Sequence, residues 1–308
     1  SSVLTPGTYS GVISGIGSAN LTASKTGVYS GYGWSLVNSS GNIWDLVVAP
    51  ATTDIYTASG NQMSAIGTTL NPRFDGGVLS VDSASASTAN ISITSRSGFI
   101  DHRGLRARFT GSFADDSVGI PGRLIIVNSG SNRSGAVSLA GSNTHTGGTE
   151  VRSGAVLSIS SASALGSGAL DLVGSATVPA TLETTATLTI GNPITVTGDP
   201  VFNIASGTTT TISSPISGSG DVVVDGAGIL NLIAANTYTG PTVINAGAAL
   251  SMTGAGSISA SSSVSNYGIF DIRNTTAPVT LNGSFLQSSS GQLKISVKEY
   301  FNESLNIA

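Results

Sequence analysis

Few residues of this chain could do chemistry. Among its 308 residues there is no cysteine and there are only two histidines. A nucleophilic mechanism needs a nucleophile, a base and a group that orients the base. His102 follows Asp101, but adjacent residues of a strand face opposite sides, so this pair is interpreted as a solvated turn. His145 is interpreted below as a corner residue. The sequence therefore predicts no catalytic residues and no enzyme.

One charged cluster could imitate the external site of a polysaccharide lyase or hydrolase. Asp115 and Asp116 are adjacent, with Arg106, Arg108 and Arg123 nearby in the chain. Arg106 and Arg108 alternate with apolar residues, so both should share the outward face of one strand. Paired carboxylates for glycoside hydrolysis flank a bond at about 5–10 Å, which neighbouring aspartates at a turn rarely do. We predict Arg106, Arg108, Asp115 and Asp116 as outward binding candidates.

No metal, cofactor or nucleic-acid site is expected. The histidines are not spaced as a ligand pair, and no glycine-rich nonapeptide with calcium-binding aspartates occurs. Short Gly-x-Gly pieces lack the third glycine and the following helix of a dinucleotide site. The net charge of −4 at pH 7 lacks the basic footprint that nucleic acids require. No stretch of eighteen apolar residues occurs, so direct membrane insertion is not predicted either.

The composition indicates short strands and tight turns. Only 9% of residues are charged, against about a quarter in average globular domains, and 40 are glycine. Apolar and polar residues alternate in many short segments, for example Leu230–Leu232 and Leu293–Val297, and glycine-rich corners separate them. No apolar stripe at helical spacing persists. Two architectures produce this pattern, an antiparallel sandwich or barrel and a parallel β-helix.

A repeated segment favours the β-helix. GAVSLAGSNTHTGGTEVRSGAVLSI begins at Gly135 and GILNLIAANTYTGPTVINAGAALSM begins at Gly228, which is 93 residues later (228 − 135). A quarter of that offset, about 23 residues, approximates one β-helix coil, so the motif is expected to return after about four coils. Stacked Asn and Thr side chains should bond to their counterparts in adjacent coils. His145 stands where the second copy has Tyr238, which makes it a corner residue.

The domain organisation is expected to be simple. We assign residues 1–308 to one domain, in which 1–70 form less regular or loop-bearing coils, and a boundary near residue 70 is the alternative. Trp34 and Trp44 flank a turn-forming segment at Ser39–Asn42, which predicts a hairpin or a protruding loop. If the whole chain stacks, it makes roughly 14 coils. The start at Ser1, without Met or a leader, is interpreted as that of an excised segment.

The repeat resembles the passenger-associated transport repeat of bacterial type V autotransporters. Asn236–Met252 match it closely, and Asn143–Ile159 match it with His145 in the tyrosine place. The resemblance extends over roughly residues 70–308. It implies an all-β fold, a right-handed parallel β-helix, exported through the periplasm and an outer-membrane β-barrel. That cognate C-terminal barrel would belong to the full-length polypeptide, and this chain would be passenger only.

The resemblance also implies a function. The chain would be a secreted or surface-displayed passenger, at the bacterial cell surface or outside the cell. It would bind a host-cell surface protein, matrix or glycan through an extended face of stacked strands. One alternative is a structural stalk that presents a distal domain, and another is a polysaccharide lyase or hydrolase of the β-helix type.

Overall fold

The computed structural model describes Met63 and residues 72–116, 120–175 and 177–296, together with the backbones of five strands nearer the N-terminus. These strands are β1 (Gly7–Ser14), β2 (Gly27–Tyr29), β3 (Tyr32–Ser40), β4 (Ile43–Pro50) and β5 (Thr53–Ile55). The first four form an antiparallel sheet of order β1-β4-β3-β2. Asn38 pairs with Trp44, which confirms the predicted hairpin. The assignment of the whole chain to one domain stays a prediction.

From Pro72 onward the chain is a succession of short strands. In the first half they are β6 (Pro72–Phe74), β7 (Val78–Ser80), β8 (Ser85–Ser87), β9 (Ile91–Ile93), β10 (Gly98–Asp101), β11 (Arg106–Phe109), β12 (Phe113–Asp115), β13 (Leu124–Val127), β14 (Ala136–Leu139), β15 (Thr149–Arg152), β16 (Val156–Ile159), β17 (Leu170–Val173) and β18 (Thr181–Thr184). One 3-10 helix, Ala162–Leu165, lies between β16 and β17.

The second half continues in the same way. Its strands are β19 (Leu188–Ile190), β20 (Ile194–Thr197), β21 (Val201–Ile204), β22 (Thr209–Ile212), β23 (Ile216–Gly218), β24 (Val222–Gly226), β25 (Ile229–Leu232), β26 (Thr242–Ile244), β27 (Ala249–Gly254), β28 (Ser263–Asn266), β29 (Ile269–Thr275), β30 (Ser284–Gln287) and β31 (Gln292–Lys294).

These strands stack in parallel as a solenoid. A seven-stranded sheet has the order β23-β20-β17-β15-β13-β10-β7, and a ten-stranded sheet has the order β30-β28-β26-β24-β21-β18-β16-β14-β11-β8. The third position in each coil belongs to a four-stranded sheet (β12-β9-β6-β5) in the early coils and to a six-stranded sheet (β19-β22-β25-β27-β29-β31) in the later ones. The all-β parallel β-helix is thus confirmed over the antiparallel sandwich.

The stack has about ten turns, as the ten strands of its longest sheet indicate. This is fewer than the 14 expected if the whole chain stacked, because β1–β4 pair antiparallel instead of forming coils. In the part of the chain that the structure describes, no helix has the length and apolar character needed to cross a membrane.

The inward side chains form a column. Leu157, Leu182, Phe202, Val224 and Ile244 are successive register partners in the ten-stranded sheet, and all are fully buried. Alternation along each strand turns one set of residues inward, and each coil covers the apolar face of the next. Burial of each such side chain stabilises the fold by about 1.5–3 kcal/mol.

The two repeat copies lie on different sides of the solenoid. Thr149 begins β15 of the seven-stranded sheet, whereas its counterpart Thr242 begins β26 of the ten-stranded sheet. The second copy therefore lies four coils and one further side along the stack, which agrees with the predicted return after about four coils but adds a change of side. Coil length also varies, from 30 residues between Arg106 and Ala136 (136 − 106) to 19 between Phe74 and Ile93 (93 − 74). The motif specifies a corner followed by a strand, and it can form at more than one corner.

Candidate functional site

The first repeat copy forms a hydrogen-bonded corner that joins three coils. The Asn143 side chain is buried; its Oδ1 accepts the Phe113 backbone N–H of the preceding coil at 2.8 Å, and its Nδ2 donates to the Ala164 carbonyl of the next coil at 2.5 Å. Two residues further along, the fully buried His145 ring places Nε2 2.9 Å from the Thr149 hydroxyl. The polar residues of the motif therefore connect neighbouring coils in the interior.

The second copy repeats this arrangement with a tyrosine. The Asn236 Oδ1 accepts the Ile216 backbone N–H at 2.9 Å, and its Nδ2 donates to the Ser257 carbonyl at 2.9 Å. The buried Tyr238 hydroxyl lies 2.6 Å from that of Thr242. The prediction that motif side chains bond to side chains in adjacent coils is wrong for the asparagines, which bond to backbone groups instead, whereas the Thr242 hydroxyl lies 2.9 Å from the Ser261 hydroxyl of the next coil. A backbone N–H buried in a parallel stack needs an acceptor, and the amide oxygen supplies it.

The two histidines are enclosed. His145 is at a corner as predicted, and burial lowers the pKa of its ring, opposed by the nearby Asp115 charge. The solvated-turn interpretation of His102 is wrong, since its ring is fully buried and Nδ1 accepts the Gly104 N–H at 3.2 Å. The chain turns immediately after Asp101, which breaks the alternation of faces and encloses both residues. Burial also lowers the pKa of His102.

The predicted carboxylates are partly exposed, and each contacts another coil. The Asp115 side chain accepts hydrogen bonds from the Thr146 N–H at 3.1 Å and from its hydroxyl at 2.7 Å, so it supports the first repeat corner. Asp116 forms an ion pair with Arg73 at 3.1 Å. These contacts hold each carboxylate to a different partner.

Arg123 belongs to another side of the solenoid. Directly before β13 of the seven-stranded sheet, it forms ion pairs with Glu150, at 3.3 Å, and with Asp171. Arg152 also pairs with Glu150, at 2.6 Å. The sequence analysis missed this network because its members come from consecutive coils and only the register of β13, β15 and β17 brings them together.

Arg106 and Arg108 are the predicted candidates that remain available. Both are exposed on β11, and Ala107 and Phe109 between and after them are buried, as the alternation predicted. Among the ion pairs of the described residues, neither guanidinium takes part in one. Their placement on the outward side agrees with the prediction, and their role in binding stays a prediction.

The two arginines lie at one end of a concave surface on the ten-stranded sheet, which we call the outer groove. It has a volume of about 650 Å³, and its wall and floor include Arg106, Arg108, Ala136, Ser138, Ser158 and Glu183. Arg108, Ser138, Ser158 and Glu183 are successive register partners, so they form one row along the stack.

A second concavity of about 330 Å³ adjoins the outer groove. It shares Arg106, Ala136 and Glu183 with it and extends to Asn203 and Asp225, which continue the same row. Over the described residues, no group of three or more His, Asp or Glu side chains is arranged to hold a metal ion. The outer groove has the positively charged Arg106 and Arg108 at one end and the negatively charged Glu183 at the other.

Known proteins with similar sequences bear on this architecture. The passenger-associated transport repeat family matches residues 134–159 and 222–248, the two segments that contain the buried asparagine corners. Over 116 residues the chain is 40% identical to the Adhesin BmaC autotransporter of Brucella suis biovar 1 (strain 1330). The two matches support the identification of the chain as a segment of a type V autotransporter passenger domain. This passenger segment is accordingly displayed at the bacterial cell surface or outside the cell.

The match to that relative is local. It covers 37% of this passenger segment and 3% of the relative's length. No solved structure matches the chain.

Proposed function

We propose that this passenger segment is adhesive and binds molecules of host or neighbouring cells through the outer surface of its solenoid. The observation that carries the proposal is the similarity to a relative named as an adhesin. The geometry of the described residues agrees with it. The repeat residues are used for stacking, so the side chains left for contact with other molecules are those of the outward rows.

A stacked solenoid suits adhesion for a physical reason. Outward side chains recur along each row at the strand spacing of about 4.8 Å, so an extended ligand can contact several coils at once. Each contact is weak, and their sum sets the affinity. We further propose that the full-length polypeptide supplies a C-terminal outer-membrane β-barrel as the export partner, and that residues 1–308 are one domain.

Binding to cultured cells tests the proposal. The purified chain, labelled at its N-terminus, is titrated onto host cells and onto a panel of matrix proteins and glycans. We expect saturable binding that unlabelled chain displaces. A signal that rises linearly with concentration on every surface would favour the structural stalk. Release of reducing ends from polysaccharides would favour the lyase or hydrolase.

A further inference from the structure

We infer that the outer groove binds a terminal acidic sugar carried on a neutral oligosaccharide. This inference rests on the proposed adhesive function and names its ligand class. It follows from the order of charges along one row of the ten-stranded sheet, from Arg106 and Arg108 through small side chains to Glu183.

The arginine end selects a carboxylate. Arg106 and Arg108 are two residues apart on one strand, so their Cα atoms are about 6.8 Å apart and their side chains point to the same side. Guanidinium groups bind carboxylates through paired hydrogen bonds. Their register partners in the next coil, Ala136 and Ser138, carry no charge. Nothing adjacent in this row therefore neutralises the two guanidinium groups.

The middle of the groove suits sugar rings better than a peptide. Ser138 and Ser158 supply hydroxyl groups, and the small Ala136 side chain leaves the floor open. Peptides that add to a sheet need an edge with free N–H and C=O groups. Here β14 pairs with β11 on one side and with β16 on the other, so its backbone is already occupied. Recognition must then come from side chains, which matches a ligand rich in hydroxyl groups.

The acidic end limits the ligand to one negative charge. Glu183 is three strands from Arg108 in the same row, a distance of about 14 Å. Asp225 continues the row beyond it. A carboxylate accepts hydrogen bonds from sugar hydroxyls but repels a second anionic group. A polyanion laid along the row would meet both acids, whereas one terminal acidic sugar at Arg106 and Arg108 leaves neutral sugars beside Glu183.

The test compares four probes on the full chain by isothermal titration. We expect sialyllactose to bind saturably and lactose to bind at least tenfold more weakly. Heparin and an Asp-rich peptide should bind no more tightly than sialyllactose. The double variant Arg106→Gln with Arg108→Gln should weaken sialyllactose binding at least tenfold. Arg273→Gln is the matched control, because Arg273 is exposed on β29 of the six-stranded sheet and pairs with Asp271. Circular dichroism verifies that each variant folds.

A second variant tests the charge order. Glu183→Gln should increase the affinity for heparin at least threefold and leave sialyllactose within a factor of two. Equal affinity for lactose and sialyllactose, or unchanged sialyllactose binding by the double variant, would overturn the inference. Preferential binding of the Asp-rich peptide would indicate that the ligand of the outer groove is an acidic protein segment and not a sugar.

The failures of the two proposals are distinguishable. Saturable cell binding that survives sialidase treatment of the cells and is unchanged in the Arg106→Gln with Arg108→Gln double variant would refute the acidic-sugar inference and leave the adhesive function standing. Absence of cell binding together with groove-dependent binding of sialyllactose would refute adhesion to those cells and support the inference.

Discussion

Replacement of the asparagine in the second repeat corner should loosen the stack locally. In Asn236→Ala the Ile216 backbone N–H loses its only acceptor among the described contacts, the amide oxygen at 2.9 Å. An unsatisfied buried donor costs about 1–3 kcal/mol. The Ser257 carbonyl, which also loses a donor, still accepts the backbone N–H of residue 236 at 2.9 Å. We therefore expect a loss of about 2 kcal/mol in the free energy of local opening.

Hydrogen exchange read at the Ile216 amide and its neighbours measures this loss directly. A change of about 2 kcal/mol corresponds to roughly thirty-fold less protection. Local opening is the right observable because solenoids need not unfold in two states, which makes a single global free energy ill-defined. Amides several coils away should keep their protection, since each coil contacts only its neighbours.

A matched variant distinguishes the loss of the hydrogen bonds at the repeat corner from the general effect of removing an asparagine side chain. Asn231 belongs to β25 and is only partly buried, and its Nδ2 lies 3.5 Å from the Thr211 hydroxyl. Asn231→Ala should change protection less than threefold, because water can replace these contacts. Equal effects of Asn231→Ala and Asn236→Ala would refute the assignment of the motif asparagine as the link between coils.

Three further predictions concern the repeat corners. His145→Tyr copies the second repeat. Because burial lowers the pKa of His145 from 6.5, the free energy of local opening at this corner, measured by hydrogen exchange, should be full above pH 6.5 and fall below it by up to about 1.4 kcal/mol per pH unit, and the variant should flatten that slope. Gly240→Ala places a Cβ 2.3 Å from a backbone carbonyl oxygen and should lower the free energy of local opening at that corner, measured by hydrogen exchange, by about 1–3 kcal/mol. Gly191→Ala, whose nearest atom is at 3.7 Å, should be nearly neutral. Thr242→Val keeps the shape but removes the hydroxyl 2.6 Å from Tyr238, so hydrogen exchange at that corner should reveal a loss of about 1–2 kcal/mol, and no loss would contradict the hydrogen-bond assignment.

Several features of the fold could be predicted from local patterns alone. Alternation within short segments predicted which residues point inward, and Phe109, Leu230 and Leu232 are fully buried accordingly, whereas Leu293 and Ile295 are exposed. The same alternation predicted that Arg106 and Arg108 point outward together. The repeated motif distinguished a parallel stack from an antiparallel sandwich. These features depend on neighbours within a few residues, so the sequence contains all that is needed to infer them.

Other features depended on which coil stacks on which. The coils vary between 19 and 30 residues, as the Phe74–Ile93 and Arg106–Ala136 partners show, so an offset of 93 residues does not divide into whole turns. The outer groove exists only because residues from four coils share one row of the ten-stranded sheet. By itself the sequence determined the parallel stack and the two sides of each strand. Tertiary structure alone decided the register between coils. That register depends on the added lengths of all the corners between two strands, and a pattern within a few residues does not give that total.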